Sequence, residues 1–331
     1  MKIMFVAPLE GWMAFHMEHF ANGFVKLGHN IKMLNYKKME RTCNPFARSA
    51  KAKHQRRHRK LEREIKEFQP DLILFVIAHM KFDFAWLKSF YRGNVVVYDF
   101  DGPGWKLYDS LEWMNNVDLL VTASRLSQRE LKTQGFNSAY LPSGVDTDYY
   151  RPLDLSDQDK KSFGSPVAFV GRPTPRRVDL FSSIADKGLI LWGRRWSRAK
   201  ECENDTLRSL QRSKNDILGD DVVKVYCSSD MMVNVLREPL NDPPTIMSLQ
   251  VFIVPSCGTC LLTEWVEELE ECFEPGKELL AFRTPEEFKE LTERYSVDKK
   301  ALIEIGTKGR ERCLAEHTHD KRAVQFLQFI N

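Results

Sequence analysis

The sequence contains no apolar run approaching the ~20 residues of a helical membrane span, which excludes an integral membrane protein of that kind. The opening stretch MKIMFVAPL is apolar but too short for a signal-peptide core with its cleavage site. It reads as a first strand, and the chain is expected to be cytoplasmic. Cysteine is sparse and unpatterned. Cys43, Cys202, Cys227, Cys257, Cys260, Cys272 and Cys313 are odd in number and scattered, as expected of reduced thiols and not of a disulfide framework. Cys257 and Cys260 form a CxxC, but no second pair follows at zinc spacing. Charge of one sign is also lacking: the net value is +3, so an anionic partner must be argued from a local patch. Low-complexity tracts and short-period repeats are absent.

What is present is alternation. The chain has 331 residues, 43% of them hydrophobic, enough for two domains with full cores. KIMFVAP runs into Pro8 and Gly11, then a helix from about Trp12 to Leu27, closed by Gly28. HNIKMLNY is a second strand. Residues 47–68 form a basic helix stopped by Pro70, and DLILFVIAH follows as a buried strand of parallel-sheet type. A short helix over Phe84–Tyr91, the strand-turn NVVVYDFDGPG, the strand VDLLVTAS and a helix through Thr133 complete the first half. Residues 146–166 are polar and rich in turn formers, and read as a linker. The alternation restarts with VAFVG, a helix near Val178–Ala185, the strand LILWG and a helix near Ala199–Ser213. VVKVYC, a helix around Met231, an apolar helix from Pro243 to about Pro255 and TCLLTEW follow. The pattern predicts two doubly wound α/β domains, 1–145 and 167–320, followed by a final helix within 321–331.

VAFVGRPTPRR, Val167 to Arg177, carries the sharpest local signal. A buried strand ends in Gly171, and Arg172, Arg176 and Arg177 follow. In a parallel sheet the carboxyl end of a strand is where ligands dock. Glycine admits close backbone approach, arginine forks suit phosphate oxygens, and a helix start adds N–H donors. A solvated basic turn is the other reading, and spacing alone does not choose between them.

The second half resembles the CgeB-like glycosyltransferases, a branch of the GT-B glycosyltransferases. FVGRPTPRR, LILWGRRW and AEHTHDKRA carry part of the likeness. Val254–Leu291, VPSCGTCLLTEWVEELEECFEPGKELLAFRTPEEFKEL, carries the most specific part. LPSGVDTDYYRP is similar to the interdomain segment of many GT-B enzymes. The likeness spans about Leu141 to Ala323. Element order also gives a weaker likeness to the DNA beta-glucosyltransferases of T-even phages. The resemblance implies a GT-B architecture, two Rossmann-like domains facing a cleft, with a nucleotide-diphosphate sugar, UDP-sugar favoured, as co-substrate of the second. It implies Gly171, Arg172 and Arg177 at the diphosphate, and Trp192 and Gly193 at the nucleotide. Gly258, Thr259 and Thr263 would lie around phosphate or sugar, and Glu264 at the sugar. One departure stands out. Where the family carries Arg-x-Phe-Glu, with the Glu as expected ribose ligand, this chain has Gln250 and Ile253.

Glycosyl transfer to a hydroxyl needs a base for the acceptor proton and positive charge for the leaving diphosphate. Asp99 and Asp101 end a buried strand beside glycines, and either serves as the base or as a turn cap. His79 follows another strand directly. Gly11, Trp12, His16 and His19 lie on or beside the PLEGW loop, and Trp105 follows the DGPG turn. Gly11, Trp12, His16 and Trp105 are the acceptor candidates. DFD spells D-x-D, but GT-B enzymes stabilise the leaving group with dipoles and cations, so no obligatory metal is expected. The basic helix Arg48–Lys60 is a solvated face or a contact for nucleic-acid phosphate, an anionic lipid surface or a teichoic-type polymer. The phage likeness makes a hydroxymethylated pyrimidine in DNA the specific acceptor expected. A non-catalytic binding module and a nucleotide-sugar epimerase are the rival functions.

Overall fold

The computed structural model describes residues 1–39, 49–76, 82–100, 110–197, 205–236 and 246–330. Its contacts divide the chain into two compact units, Met1–Ser143 with His319–Asn331, and Gly144–Thr318.

In the first unit, β1 (Lys2–Ala7) leads to α1 (Trp12–Lys26), β2 (Asn30–Asn35) and a short α2 (Tyr36–Met39). Then come α3 (Ala50–Phe68), β3 (Leu72–Val76), α4 (Phe84–Phe90), β4 (Asn94–Asp99), β5 (Leu119–Thr122), α5 (Arg125–Thr133) and β6 (Ser138–Tyr140). The strands form one parallel sheet in the order β2-β1-β3-β4-β5-β6. Every residue of β3 is buried, as helices on both faces require. α1 closes where Gly28, at φ 81, takes the left-handed step that its apolar neighbours disfavour. α3 starts on Ser49, whose Oγ accepts from Ala52 N at 3.2 Å, and ends on Gln69 in the left-handed region. It buries Leu61 and Ile65 against the sheet and leaves Lys53, Arg59, Arg63 and Lys66 exposed.

The second unit opens with α6 (Asp157–Phe163), inside the segment read as a linker. Asp159 there pairs with Lys224 at 2.9 Å. β7 (Val167–Val170), α7 (Pro175–Ser182), β8 (Leu189–Trp192), α8 (Asp205–Ser209) and β9 (Gln211–Ser213) follow. After them come α9 (Asp220–Ser228), β10 (Met231–Asn234), α10 (Gln250–Ser256), β11 (Cys260–Glu264), α11 (Leu269–Cys272), β12 (Leu280–Phe282), α12 (Pro285–Tyr295) and α13 (Lys299–Glu316). The sheet is parallel, ordered β12-β11-β10-β7-β8-β9. The two halves of the order meet between β7 and β10, the topological switch point of a dinucleotide-type sheet. A last helix, α14 (His319–Gln328), packs on α1 within the first unit. Gly23 meets it so closely that a Cβ there would stand 2.5 Å from the His319 carbonyl oxygen.

Three local expectations fail in this unit. VVKVYC lies in helix α9, and Met231, expected in a helix, opens strand β10. The valine run looks β-prone, but Val222, Val223, Val225 and Tyr226 share one buried helical face, and Asp220 and Asp221 begin the helix where its dipole favours them. MMVN is the fully buried strand at the switch point. The helix expected near Ala199–Ser213 is α8 followed by edge strand β9, with 198–204 outside the described residues. The apolar helix from Pro243 is described only as α10, since 237–245 lie outside them. Among the described residues no helix is long and apolar enough to cross a membrane.

Candidate functional site

The carboxyl edge of the second sheet is built around two glycine backbones. Gly171 N donates to the Trp192 carbonyl at 2.8 Å. Gly193, at φ 133, lies so close to Gly171 that a Cβ on it would stand 2.4 Å from the Gly171 oxygen. No side chain can be added there without parting the two loops. The Gly171 carbonyl also accepts from Trp196 Nε1 at 2.9 Å, and the Gly193 carbonyl from Gln211 Nε2 at 2.7 Å. The rim is thus fixed before any ligand arrives.

The arginines around it have distinct roles. Arg177 is buried, and its donors go to backbone. Nε and Nη2 reach the Val235 carbonyl at 2.9 and 2.5 Å, and Nη1 reaches the Arg172 carbonyl at 2.9 Å. Its guanidinium lies over the Phe169 ring, 5.0 Å from the centroid. It ties the end of β10 to the loop after β7 across the switch point. The expected diphosphate contact is therefore replaced by a strut. Arg172 is half-buried and pairs with Asp216 Oδ2 at 2.8 Å, to which Arg194 Nε also lies 3.1 Å away. Burial alone would raise the Asp216 carboxyl. The Arg172 hydrogen bond and the charges of Arg172 and Arg194 outweigh it and hold the group below the usual range. Arg176 grips buried Glu264 with both terminal nitrogens, one of them at 2.7 Å from Oε2, and Oε2 also accepts from Leu236 N at 3.2 Å. Among the described residues, Arg172, Arg176 and Arg194 thus pair with two carboxylates, Asp216 and Glu264, while Arg177 is held by backbone carbonyls. These pairs hold one more cation than acid, which suits an anionic ligand.

Other expected donor residues fall elsewhere. Trp192 is buried and stacks on Phe163 at 5.7 Å, so its ring packs the core and not a nucleotide face. Gly258 and Thr259 precede β11 and lie at the amino edge of a parallel sheet, whereas Gly171 and Glu264 lie at its carboxyl edge. The five residues of β11, at ~3.3 Å each, separate the two. Thr259 Oγ1 is spent on the Tyr226 carbonyl at 2.6 Å. Both residues line a separate hollow of ≈ 410 Å³ with Cys227, Cys257 and Arg310. Thr263 is buried and accepts from Asn234 Nδ2 at 2.9 Å. Gln250 Nε2 donates to the Val170 carbonyl at 2.9 Å, and Ile253 packs against the core. The two departures from the family pattern therefore close the end of β7 and fill the interior.

In the first unit, Asp99 is the last residue of β4, buried and in register with Thr122 of β5. Gly11 caps α1 with φ 58 and is exposed. His16 is buried between Phe100 and His319, with ring centroids 5.3 and 5.4 Å away. Burial, with a smaller push from His19, lowers its pKa to about 3, so it is a neutral packing ring at pH 7. Trp12 opens α1, but its side chain is outside the described part, as are Asp101, His79 and Trp105 altogether. Arg176, Arg194, Asp216 and Gln250 were not assigned site roles from sequence. Arg176 sat in the quoted cluster. Asp216 lies 44 positions from its partner Arg172, with no local signal.

Residues 176–328 match the family model described as glycosyl transferase-like. The chain is similar in structure to HepE of Anabaena in complex with UDP-glucose, at 15% identity and TM-score 0.68, over 100% of this chain and 99% of that one. A glycosyltransferase of Rickettsia africae gives 12% identity and TM-score 0.69, over 99% and 97%. This is a GT-B fold. Sucrose-phosphate synthase of Thermosynechococcus elongatus shares that GT-B fold at 12% identity, over 99% and 98%, with TM-score 0.67. No curated protein sequence matches the chain significantly. The family match over residues 176–328 supports glycosyltransferase activity, and the solved structures show the fold.

Proposed function

We propose that the protein transfers a glycosyl group from a uridine-diphosphate sugar to a hydroxyl acceptor. The observation that carries this reading is the arginine-rich carboxyl edge of the second sheet, set on the glycine contact between the loops after β7 and β8. HepE, solved with UDP-glucose, supports uridine as the base. Arg172 and Arg194 meet the diphosphate, exchanging part of their pairing with Asp216. Glu264, oriented by Arg176, accepts sugar hydroxyls. In the reaction the acceptor oxygen loses its proton to a carboxylate and bonds to the anomeric carbon. The bond from that carbon to the diphosphate oxygen breaks, and UDP leaves with the electron pair. Positive charge at the rim stabilises the leaving group. Asp99 is the base among the described residues, with Asp101 as its sequence neighbour.

For the acceptor, the basic face of α3 supports a polyanion. Exposed Lys53, Arg59 and Arg63 share that helix with Lys60. With the CgeB-like and phage likenesses, this favours DNA carrying a hydroxymethylated pyrimidine, a base that must be flipped to react.

Calorimetric titration with UDP, GDP, CDP, ADP and dTDP tests the donor. Selective UDP binding, weakened by Arg172→Ala, is expected. No binding by any nucleotide would leave a non-catalytic module, with Gln250 and Ile253 as its cause. Transfer of radiolabelled glucose to hydroxymethylated but not to plain DNA tests the acceptor.

A further inference from the structure

A cluster in the first unit has no part in the transfer reaction. His54 and His58 stand four residues apart on α3, on the same face, and Asp83 precedes α4. One donor atom from each residue lies within 4.8 Å of the other two. We propose that His54, His58 and Asp83 form a binding site for a divalent transition metal that clamps α3 to the start of α4.

The donor set decides the class of ion. Two imidazoles and one carboxylate suit Zn²⁺ and its chemical neighbours Co²⁺ and Ni²⁺, whereas Ca²⁺ and Mg²⁺ call for oxygen ligands. Three protein ligands leave a fourth tetrahedral position for water.

The site is partly organised already. The His58 ring lies flat on the Trp86 indole, 3.7 Å between centroids and 8° between planes. That stacking fixes the ring but leaves its Nε2 buried and without a hydrogen-bond partner among the described residues. A buried nitrogen left in that state is costly, and a metal would satisfy it. Asp83 Oδ1 accepts from Trp86 N at 2.9 Å, which orients the carboxylate as an outer hydrogen bond does in metal sites. Asp83 Oδ2 is 4.0 Å from His54 Nε2, too far for a hydrogen bond. Tetrahedral ligands at zinc distances stand about 3.3 Å apart, so modest side-chain rotation would close the set. The surrounding basic helix opposes any cation. Arg57, however, places its guanidinium over the Tyr36 ring, 5.8 Å from the centroid, and not over the imidazoles.

Cobalt(II) is the probe, because it reports ligand type. The full chain, freed of metal and kept reduced, is titrated with CoCl₂. One equivalent with visible d–d absorption and no thiolate charge-transfer band is expected. His54→Gln combined with His58→Gln should abolish that spectrum, and Asp83→Asn should weaken binding about tenfold or more. Circular dichroism without metal checks that the variants fold. His54→Gln alone, at a half-exposed position, serves as the conservative variant if the double substitution does not. A spectrum unchanged in the variants, a thiolate band in its place, or no cobalt bound at stoichiometric excess would each overturn the site.

Discussion

The two units are built from the same repeating βα element, yet their sheets are ordered differently. The first runs β2-β1-β3-β4-β5-β6, and its switch point falls between β1 and β3. The second runs β12-β11-β10-β7-β8-β9, with the switch between β7 and β10. Beside the second switch, the loops after β7 and β8 are pressed together through Gly171 and Gly193, and the buried Arg177 ties the β7 loop across the switch to the end of β10. In the first unit the residue singled out at a strand end, Asp99, is a buried carboxylate after an apolar strand. One edge carries preorganised positive charge, suited to a diphosphate. The other carries the buried carboxylate of Asp99, suited to a proton. Fold alone does not assign these tasks, because both units have it.

The largest expected effect tests that division. Asp99→Asn should lower kcat for sugar transfer at least about a hundredfold, as loss of a general base does, with the UDP dissociation constant unchanged. Loss of UDP binding in the same variant would break the assignment. Next, two glycines at positive φ should respond unequally in the two units. Gly193→Ala meets the Gly171 carbonyl and should cost about 3 kcal/mol or more in urea unfolding. Gly28→Ala, also at positive φ but facing open space, should cost about 1 kcal/mol. Equal costs would mean that the loop contact is soft. Two neighbouring arginines should also separate. Arg177→Met leaves the Val235 and Arg172 carbonyls without their donors and should cost about 2–3 kcal/mol. Arg172→Ala should change stability by less than about 0.5 kcal/mol while raising the KM for the donor.

The smallest effect is a difference in acid response. The native pKa of His16 lies near 3, below its ordinary 6.5, so the unfolded chain binds the extra proton first. Stability is whole above pH 6.5 and falls steadily toward pH 3. His58 adds to the same loss down to about pH 4. Asp216 in the second unit has a depressed native pKa. Its contribution is present above its ordinary 3.8 and is lost only as pH falls through the native value. Urea midpoints between pH 7 and pH 4 should therefore drop less for His16→Phe than for the wild type. An identical slope would show that His16 gains its proton without unfolding the first unit.

Much of the fold could be read from single residues. Gly28 and Pro70 marked helix ends, LILFV announced a fully buried strand, and VAFVG located the glycine loop. The exchange at VVKVYC and MMVN was not legible, since short apolar runs have no period long enough to separate helix from strand. The site was legible as a set of residue types. Arginines after a strand and an acid after TCLLT belong to the same edge because both follow parallel strands. The family resemblance puts Gly258 and Thr259 with them, yet they precede their strand.

By itself, the sequence determined the alternating α/β class and the glycine-arginine loop, because these rest on local pattern and backbone freedom, while the acid at position 264 came from the family resemblance. Tertiary structure alone decided which arginine is a strut and which faces outward. Arg172 and Arg177 are five residues apart and chemically alike. Their difference lies in which distant carbonyl or carboxylate, Val235 or Asp216, the folded chain brings within 3 Å. The meeting of His54, His58 and Asp83 arises in the same way, since a helix face supplies two ligands but packing must supply the third.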